Sequence, residues 1–551
     1  MLYESIALPL SYFGAVSGIR ESDSRLHLGK VAYYHYTNPT QYGYFSQSSY
    51  NLARNMIVFI ILLISAFLRF YNLPNNFVFA GDEEHQAILA QTIVKHFHII
   101  WIGVNAAHLG FYLGPYWVYF TSFWLYLSKG DPLITGYVSA SIGVLTTLLI
   151  ILTGKTLFNE RVGLLAGLLY ATLPLMVFLD QKYWNPTTVP ILSLLMLLSL
   201  SKVKKNPKWM ILFSASFGII FHIHLSLFPI LFVAIFWSAS WRIKLPKKII
   251  FLSAVTFLIM IAPLIAFDYF HKGTNITTPL RLGEISSDYR NQINPKHHLL
   301  ALFQTLGRVW YLKPFGNNSD EVITSCTSSS RIDSPPLVDK VSKRFTPPAW
   351  LSLAGFFILL LFLLNKQAWK KDTHALLALF ILSITLLFLL FPGGAYEYYL
   401  LGIFPLLMFL PGILIGYFNK LKFPILFTSL IVSILGVFTI TTNNPQFGLS
   451  AKNSLIKQTI SVIDKAPFEL KQTGICHFYE GWRYLFVLNG KTPQRTDSDQ
   501  SLGWLYDKEI TNNPVKYTII LSEKRAPINF DAKDAKVINS AGFTSYIFQN
   551  F

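Results

Sequence analysis

Three adjacent acidic residues, Asp82, Glu83 and Glu84, follow an apolar stretch of the chain by only a few positions. A positioned carboxylate can take the proton of a hydroxyl group as that hydroxyl attacks, which accelerates a reaction by roughly 10²–10⁴-fold. Because neighbouring carboxylates repel each other, the pKa of at least one of the three is expected to be raised. The cluster is therefore a candidate for general base catalysis.

The same stretch also fits a structural interpretation, the start of an amphipathic helix. Asp82 could cap that helix, and the helix dipole favours each acid in a first turn by some tenths to about 1 kcal/mol. Ala87, Ala90, Val94 and Phe97 recur at helical spacing and would form its buried face. Taken alone, the stretch favours this structural interpretation.

A metal site is a third interpretation. Asp82 and His85 are three residues apart, so they share one face of a helix and could supply two ligands. Two ligands do not make a metal site. No metal-binding residues are therefore assigned and no cofactor is certain, with a divalent metal kept as an open alternative.

The composition is that of a membrane protein. Of 551 residues, 52% are hydrophobic and 13% are charged, whereas a soluble chain carries about 25% charged residues. Long apolar blocks alternate with short polar joints, and a helix of about 20 residues is needed to cross a bilayer. Eleven spans are predicted, at 55–72, 133–153, 162–180, 186–201, 208–222, 225–241, 248–268, 348–365, 373–391, 399–417 and 422–441.

The positive residues predict the orientation. The net charge of +18 lies largely in short joints between apolar blocks, which argues against a nucleic-acid partner. With eleven spans, these basic joints all fall on the side of the N-terminus, which the positive-inside rule makes cytoplasmic. If the aromatic stretch 110–127 were also a span, every later basic joint would lie on the outer side of the membrane. It is therefore predicted to be a helix lying along the outer surface of the membrane.

The predicted fold class is thus an all-α polytopic membrane protein with a small C-terminal extracytoplasmic α/β domain. Residues 1–54 are predicted to be a poorly ordered segment, with Met56 nearer the true start, and residues 55–441 form the multi-span domain. It carries a first outer loop at 73–132 and a long outer loop at 269–347. Residues 442–551 form the α/β domain, which has a helical run at 451–464 and strand-like runs at 517–522 and 545–550. Cys326 and Cys476 are too few for a disulfide framework.

Several motifs, in this order, resemble the C-type (GT-C) membrane glycosyltransferases. An acidic "DE" pair opens a helix just after the first span, and "GFYLGPYWVYF" (110–120) follows it. The run 134–191 then contains the joint "GKTLFNERVGLLA" (154–166) and an outer turn. The resemblance is strongest to the branch with the protein O-mannosyltransferases (family 39) and the aminoarabinose transferase of lipid A. It covers roughly residues 55–270.

The resemblance implies transfer of a sugar from a polyprenyl-phosphate carrier to an acceptor hydroxyl on the outer face of the cell membrane, with inversion. Asp82 would be the catalytic carboxylate, with Glu83 its immediate partner. The turn 180–186 departs from the mannosyltransferases, which have an arginine and acids there, because this chain has Lys182 and only one acid, Asp180. A protein acceptor is therefore in doubt, and a glycolipid or glycan acceptor is equally open.

A lipid phosphate that leaves with negative charge needs cations near the outer leaflet. Candidate residues for binding the donor phosphate and sugar are Lys182, His222, His224, Arg281, Tyr398 and Tyr399, with Arg290, Tyr396 and Glu397 beside them. Each has a structural alternative. These are snorkelling for the lysine, packing or solvation at a helix tip for the histidines, a solvated loop for the arginines, and an interfacial aromatic belt for the tyrosines.

Three other functions compete with transfer. A transporter or flippase for a lipid-linked sugar should carry charges at mid-membrane depth or paired repeats, and the predicted spans carry few charges. A polysaccharide polymerase or ligase would use a large outer loop such as 269–347, which has no clear catalytic set. A non-enzymatic assembly protein is the third. The acids crowded at the first outer loop favour the transferase.

Overall fold

The computed structural model describes residues 39–105, 111–280, 295–312, 347–391, 395–474, 480–524, 526 and 528–550. The protein is mostly helical and carries a small five-stranded sheet near its C-terminal end. This confirms the predicted fold class at that level. Cys326, Cys476, Arg281 and Arg290 lie outside the described residues.

The helices of the first half of the chain are α1 (Pro39–Phe70), α2 (Leu73–Asn76), α3 (Gly81–Lys95), α4 (Tyr116–Leu127), α5 (Leu133–Leu157), α6 (Glu160–Thr172), α7 (Pro174–Gln181), α8 (Val189–Lys202), α9 (Trp209–Ile223), α10 (Ile230–Ser240), α11 (Lys247–Phe270) and α12 (Thr274–Leu280). Short 3₁₀ turns at Asn185–Thr188 and Leu225–Leu227 lead into α8 and α10. Helix α1 begins at Pro39, within the segment predicted to be poorly ordered.

The helices of the second half are α13 (Pro295–Arg308), α14 (Ala349–Leu364), α15 (Lys366–Trp369), α16 (Asp372–Leu390), α17 (Phe404–Leu407), α18 (Phe409–Tyr417), α19 (Lys422–Thr442), α20 (Leu449–Ile463), α21 (Arg483–Leu488) and α22 (Asp499–Leu502). Further 3₁₀ turns lie at Glu397–Leu400, Asn419–Leu421, Gly503–Leu505 and Asp507–Glu509.

Helices occupy all eleven of the predicted spans. In the described part of the chain, five stretches are long and apolar enough to cross a membrane, namely Leu52–Phe70, Leu133–Leu157, Lys247–Phe270, Asp372–Leu390 and Asn419–Thr442. Shorter apolar helices lie at Trp209–Ile223, Leu225–Ser240, Ala349–Leu364 and Phe404–Tyr417. The two short helices predicted within 209–241 are confirmed, while the number of membrane crossings stays a prediction.

One predicted span is broken. Helices α6 and α7 are long and apolar enough to cross a membrane only when taken together, and the chain bends by 66° between them. The break falls at Leu173, which is extended (φ −70°, ψ 126°) and precedes Pro174. A proline disfavours helical backbone in the residue before it, so this sequence ends α6 and restarts the helix as α7.

Helix α4 lies in the aromatic stretch that was left out of the predicted spans. It has 12 residues, which at 1.5 Å per residue is about 18 Å and well short of a bilayer core. It packs along α3 instead. Its length agrees with a helix that does not cross the membrane, and its position on the outer surface stays a prediction.

The sheet consists of β1 (Phe468–Thr473), β2 (Arg495–Thr496), β3 (Tyr517–Glu523), β4 (Lys536–Ser540) and β5 (Phe543–Gln549). Its strand order is β2-β1-β3-β5-β4. The strands β2, β1 and β3 are parallel, whereas β5 runs antiparallel to both β3 and β4. The predicted helical run appears as α20, and the two predicted strand-like runs appear as β3 and β5.

Two large apolar cores organise the molecule. The first lies among the helices from α5 to α18. The second combines Ala87 and Ala90 of α3, Trp117 of α4, and residues of the C-terminal part such as Leu455 and Phe486. Because a shared core couples its members, the C-terminal part positions the helix that carries the three acids.

Candidate active site at the start of α3

The start of α3 is formed by a local hydrogen bond. Ala80 has extended backbone (φ −127°, ψ −157°), and its N–H donates to Oε2 of Glu83 at 3.1 Å. This contact satisfies one of the backbone groups that the first turn of a helix leaves without a partner. The prediction that Asp82 caps the helix is therefore wrong, because Glu83 makes the capping contact.

The buried face of α3 differs in part from the predicted one. Ala87 and Ala90 are buried, as predicted, and Ile93 completes that face. Phe97 is 81% exposed because the helix ends at Lys95, before the predicted stripe is complete. The middle turns of the helix therefore hold it in the apolar core.

The three acids lie in three different environments. Asp82 is exposed, whereas Glu83 and Glu84 are 3% and 2% exposed. Glu84 accepts a hydrogen bond from the main-chain N–H of Tyr484 at 2.8 Å. Of the cluster, Asp82 alone is open to an incoming molecule.

Glu83 is a buried carboxyl that holds its proton near neutral pH. Burial raises its pKa to about 7, the positive charge of Lys182 opposes that rise, and the charge of Asp82 adds to it. Its second oxygen, Oε1, is buried and has no hydrogen-bond partner among the described residues. Since buried polar atoms are usually hydrogen-bonded, this oxygen is an unmet acceptor next to Asp82 in the chain.

Lys182 is fixed by the turn between α7 and α8. Its carbonyl accepts hydrogen bonds from the hydroxyls of Ser139 at 2.7 Å and Thr187 at 2.9 Å. Its side chain is 6% exposed, and Nζ lies 4.2 Å from the ring centroid of Trp184. A cation over an aromatic face is attracted to the ring, so Trp184 orients the ammonium.

Tyr183, the next residue of this turn, packs against α4. Tyr183 stacks on Trp117 with ring centroids 4.8 Å apart, and its hydroxyl lies 2.8 Å from that of Thr121. Both partners belong to α4. The turn therefore anchors on α4 through Tyr183 and presents Lys182 and Trp184 to the site.

A continuous set of rings lies beside Lys182, and we call it the aromatic wall: Trp184, His224, Tyr396, Tyr398 and Tyr399. Trp184 meets Tyr398 at 5.0 Å between centroids, and Tyr398 meets Tyr399 at 4.6 Å. His224 contacts Tyr399 at 5.2 Å, and Tyr396 stacks on Tyr398 at 5.5 Å. Residues from three distant parts of the sequence thus form one surface.

The aromatic wall lies within electrostatic reach of the acids. Burial raises the pKa of Tyr398 well above its ordinary value, and the charge of Asp82 adds to this rise. The positive charge of Lys182 likewise reaches Glu83, where it lowers the pKa. The structure therefore brings together six of the predicted residues, namely Asp82, Glu83, Lys182, His224, Tyr398 and Tyr399.

One component of the site was missed in the sequence. Arg308, at the end of α13, forms an ion pair with Glu397 at 2.8 Å, and both side chains are buried. Glu397 immediately precedes Tyr398, so the pair fixes the base of the aromatic wall. A signal was present, because a glutamate within an aromatic cluster needs a cationic partner if it is buried.

His222 lies outside this group. Its Nε2 is 2.7 Å from the carbonyl oxygen of Met260, and its ring stacks on Tyr116 at 3.9 Å. These contacts join α9 to α11 and α4. The position of His222 corresponds to the structural alternative, packing near a helix end.

Asp180 is also occupied elsewhere. Its carboxylate binds Arg69 of α1 at 2.7 Å and accepts a hydrogen bond from the hydroxyl of Tyr170 at 3.1 Å. Arg69 is fully buried and also donates to the carbonyl of Ala171. The single acid of the turn 180–186 therefore joins α1 to α6.

Among the described residues, no three His, Cys, Asp or Glu side chains are grouped so that they could hold a metal ion.

Part of the chain resembles a known protein family. Residues 114–267 match the family described as dolichyl-phosphate-mannose-protein mannosyltransferase. This segment contains α4, the turn with Lys182, and His224. No curated protein sequence matches the chain.

Solved structures give the fold. The chain is similar to ArnT from Cupriavidus metallidurans bound to undecaprenyl phosphate, with 10% identity, a TM-score of 0.50, and coverage of 91% of this chain and 98% of that one. The apo state of the same ArnT matches with the same values. The Archaeoglobus fulgidus oligosaccharyltransferase AglB, in complex with an inhibitory peptide and a dolichol-phosphate, has 13% identity and a TM-score of 0.44 over 85% of this chain and 69% of that one. The family match and the ArnT fold confirm the predicted resemblance to the C-type membrane glycosyltransferases.

Proposed function

We propose that this protein is a membrane glycosyltransferase that moves a sugar from a polyprenyl-phosphate carrier to an acceptor hydroxyl on the outer face of the cell membrane, with inversion. One observation carries the proposal. An exposed carboxylate, Asp82, lies within electrostatic reach of an aromatic wall that also holds a buried lysine, Lys182. The family match to dolichyl-phosphate-mannose-protein mannosyltransferases and the likeness to ArnT support it.

The reaction needs a base and a stabilised leaving group. The acceptor oxygen attacks the anomeric carbon of the sugar and forms a new C–O bond. The bond between that carbon and the phosphate oxygen breaks, and its electron pair goes to the lipid phosphate. The acceptor proton goes to the carboxylate of Asp82. The products are an inverted glycoside and a polyprenyl phosphate.

Lys182 is suited to the leaving phosphate. Nζ of Lys182 has no hydrogen-bond partner among the described residues, and it interacts with the Trp184 ring and with the charge of Glu83. An ammonium that is already held in place stabilises a developing negative charge without being reorganised during the reaction. Removing one such group typically costs about 10²–10³ in rate.

The aromatic wall is suited to the sugar and to the first isoprene units. Rings at 4.6–5.5 Å from each other present apolar faces with polar hydroxyls at their edges. Ligand sites are mostly apolar surfaces with a few placed polar groups. Arg308 is paired with Glu397, so we assign it to support of the wall. The phosphate contact is assigned to Lys182.

Glu83 is proposed as the partner of Asp82. It fixes the first turn of α3 through Ala80, and its carboxyl titrates near neutral pH. When ionised, it adds negative charge beside Asp82 and strengthens the pull on the acceptor proton.

The acceptor belongs to the class of hydroxylated glycolipids, glycans or proteins.

The test is transfer by the purified full chain in detergent, using polyprenyl-phosphate sugars with radiolabelled heads and total membrane acceptors. Wild type is expected to move the label from carrier to acceptor, and Asp82→Asn is expected to stop it. Asp534→Asn, an exposed aspartate of the C-terminal part, is the matched control and should transfer normally.

The other outcomes are informative. Transfer that survives in Asp82→Asn would move the base to Glu83. If wild type releases no sugar from any carrier, the transferase proposal fails. Movement of the intact lipid-linked sugar across a liposome membrane would then support a transporter.

A further inference from the structure

A fully buried lysine lies on the far side of the acid cluster. Lys452 belongs to α20 of the C-terminal part, and its side chain has no exposed surface. Lysines are almost never fully buried unless they are paired, because moving a charge out of water is costly. Its location therefore requires an explanation.

The contacts of Lys452 lead directly to the start of α3. Its Nζ donates a hydrogen bond to the carbonyl of Phe79 at 2.6 Å and another to the carbonyl of Glu480. Phe79 precedes Ala80, whose N–H binds Glu83 at the start of α3. Nζ also lies 4.6 Å from the ring centroid of Trp482. The ammonium thus holds in place the segment that leads into α3.

Charges face Lys452 from both sides of this junction. Glu83 and Glu84 belong to α3, while Glu480 and Glu523 belong to the C-terminal part. Burial lowers the pKa of Lys452 to about 8, and all four acids oppose that fall. Arg483 is a second cation there, and its charge acts on Glu84.

The junction is also close-packed. Gly481 has φ +88°, and a Cβ at that position would lie 2.8 Å from the carbonyl oxygen of Phe79. A glycine is required where the backbone has positive φ and another chain segment passes this closely. The C-terminal part is therefore built to fit against residues 79–84.

We propose that Lys452 is a positioning residue for sugar transfer, so that the C-terminal domain is part of the catalytic apparatus. Its ammonium fixes the segment before α3 by binding the carbonyl of Phe79. Its charge also interacts with that of Glu83. Lys452 itself touches no substrate. This inference rests on the proposed transferase function, and it gives the C-terminal domain a role in that function.

The expected effect follows from the sign of the charge. A nearby cation favours an ionised carboxylate, so removing the ammonium leaves Glu83 protonated up to a higher pH. If transfer requires ionised Glu83 beside Asp82, the acid limb of the pH profile moves upward. The acid limb is expected to move by up to about one pH unit, which lowers activity at pH 6 by up to about tenfold and changes it little at pH 9.

The experiment compares the pH profile of kcat/KM for wild type, Lys452→Met and Lys452→Arg, using the full chain in detergent and a radiolabelled polyprenyl-phosphate sugar. Lys452→Met should shift the acid limb upward, and Lys452→Arg should restore it because arginine keeps the charge. Lys457→Met, on the exposed face of the same helix, is the matched control and should match wild type.

Several outcomes would overturn the inference. A Lys452→Met variant with an unchanged profile would do so, as would a loss that is equal at every pH. If this variant does not fold, Lys452→Gln takes its place, since it keeps a donor for Phe79 but not the charge. Failure of both variants to fold would make Lys452 purely structural. Absence of transfer by wild type at every pH would instead contradict the proposed function.

Discussion

The carboxylate of Glu84 and the main-chain N–H of Tyr484 are joined by a hydrogen bond of 2.8 Å, across 400 residues of sequence. One end of this bond is in the first turn of α3, and the other is at the start of α21 in the C-terminal part. The middle member of the acid cluster, Glu83, is buried and leaves its Oε1 without a hydrogen-bond partner among the described residues, and the first member is exposed. Three consecutive acids therefore divide into a docking residue, a buried partner and an accessible carboxylate.

This division predicts that Glu84 is needed for stability. Glu84→Ala removes the acceptor of a buried N–H and a negative charge near Lys452, so it should lower the free energy of unfolding by about 2–3 kcal/mol. Glu84→Gln keeps an acceptor oxygen and should cost less. The measurement is the melting temperature of the purified protein in detergent. Equal melting of wild type and Glu84→Ala would contradict the assignment.

Sequence reasoning found the helices because long apolar blocks in a membrane protein have few alternatives to helix. It also found the "DE" pair, Lys182 and the tyrosines around Glu397. It assigned the cap of α3 to Asp82, since it could not know that the backbone at Ala80 would turn toward Glu83. It missed Arg308 and Lys452 for a common reason. Their roles depend on contacts between segments far apart in the chain, and local periodicity carries no information about such contacts.

The contribution of Glu83 to the stability of the fold is predicted to depend on pH. Its pKa is 4.5 in an unfolded chain and about 7 in the folded protein, so the folded state binds the proton more tightly. Its contribution to stability is complete below pH 4.5, falls as the pH rises and is gone above about pH 7. Glu83→Gln does not titrate, and its amide oxygen can still accept from Ala80.

Glu83→Gln should therefore be more stable than wild type above pH 7, by about 3–3.5 kcal/mol, since the pKa rises from 4.5 to about 7 and each pKa unit is worth about 1.4 kcal/mol. The two proteins should melt together near pH 4, which is the internal control. Transfer by this variant should be reduced at all pH values. A stability difference that is the same at pH 4 and pH 8 would contradict the buried, titrating carboxyl.

The ion pair between Arg308 and Glu397 is predicted to support the aromatic wall. Removing one partner of a buried pair leaves an uncompensated charge, which typically costs about 3–5 kcal/mol. Arg308→Met and Glu397→Gln should each destabilise the protein by about that amount. The double variant should lose clearly less than the sum of the two. A double-mutant cycle on melting in detergent measures this coupling, and additive losses would show that the residues act independently.

Lys182 provides the sharpest prediction about catalysis, because the chain contains a matched control. Nζ of Lys182 lies 4.2 Å from the centroid of Trp184, and Nζ of Lys202 lies 4.7 Å from that of Trp209, in a joint predicted to be cytoplasmic. Lys182→Met should lower the rate of sugar transfer by about 10²–10³-fold if its ammonium stabilises the leaving phosphate. Lys202→Met removes a similar cation–ring contact between two half-buried residues outside the proposed site, so it should leave transfer within about twofold.

The two lysine variants separate electrostatics from packing. Both should melt within a few degrees of wild type, so a loss of transfer confined to Lys182→Met would come from the missing charge. Lys182→Arg should recover part of the rate, because arginine keeps the charge but places it differently. Single-turnover transfer from a radiolabelled polyprenyl-phosphate sugar measures the chemical step directly. Equal rates in Lys182→Met and Lys202→Met would remove Lys182 from the site and leave the leaving phosphate without an assigned partner among the described residues.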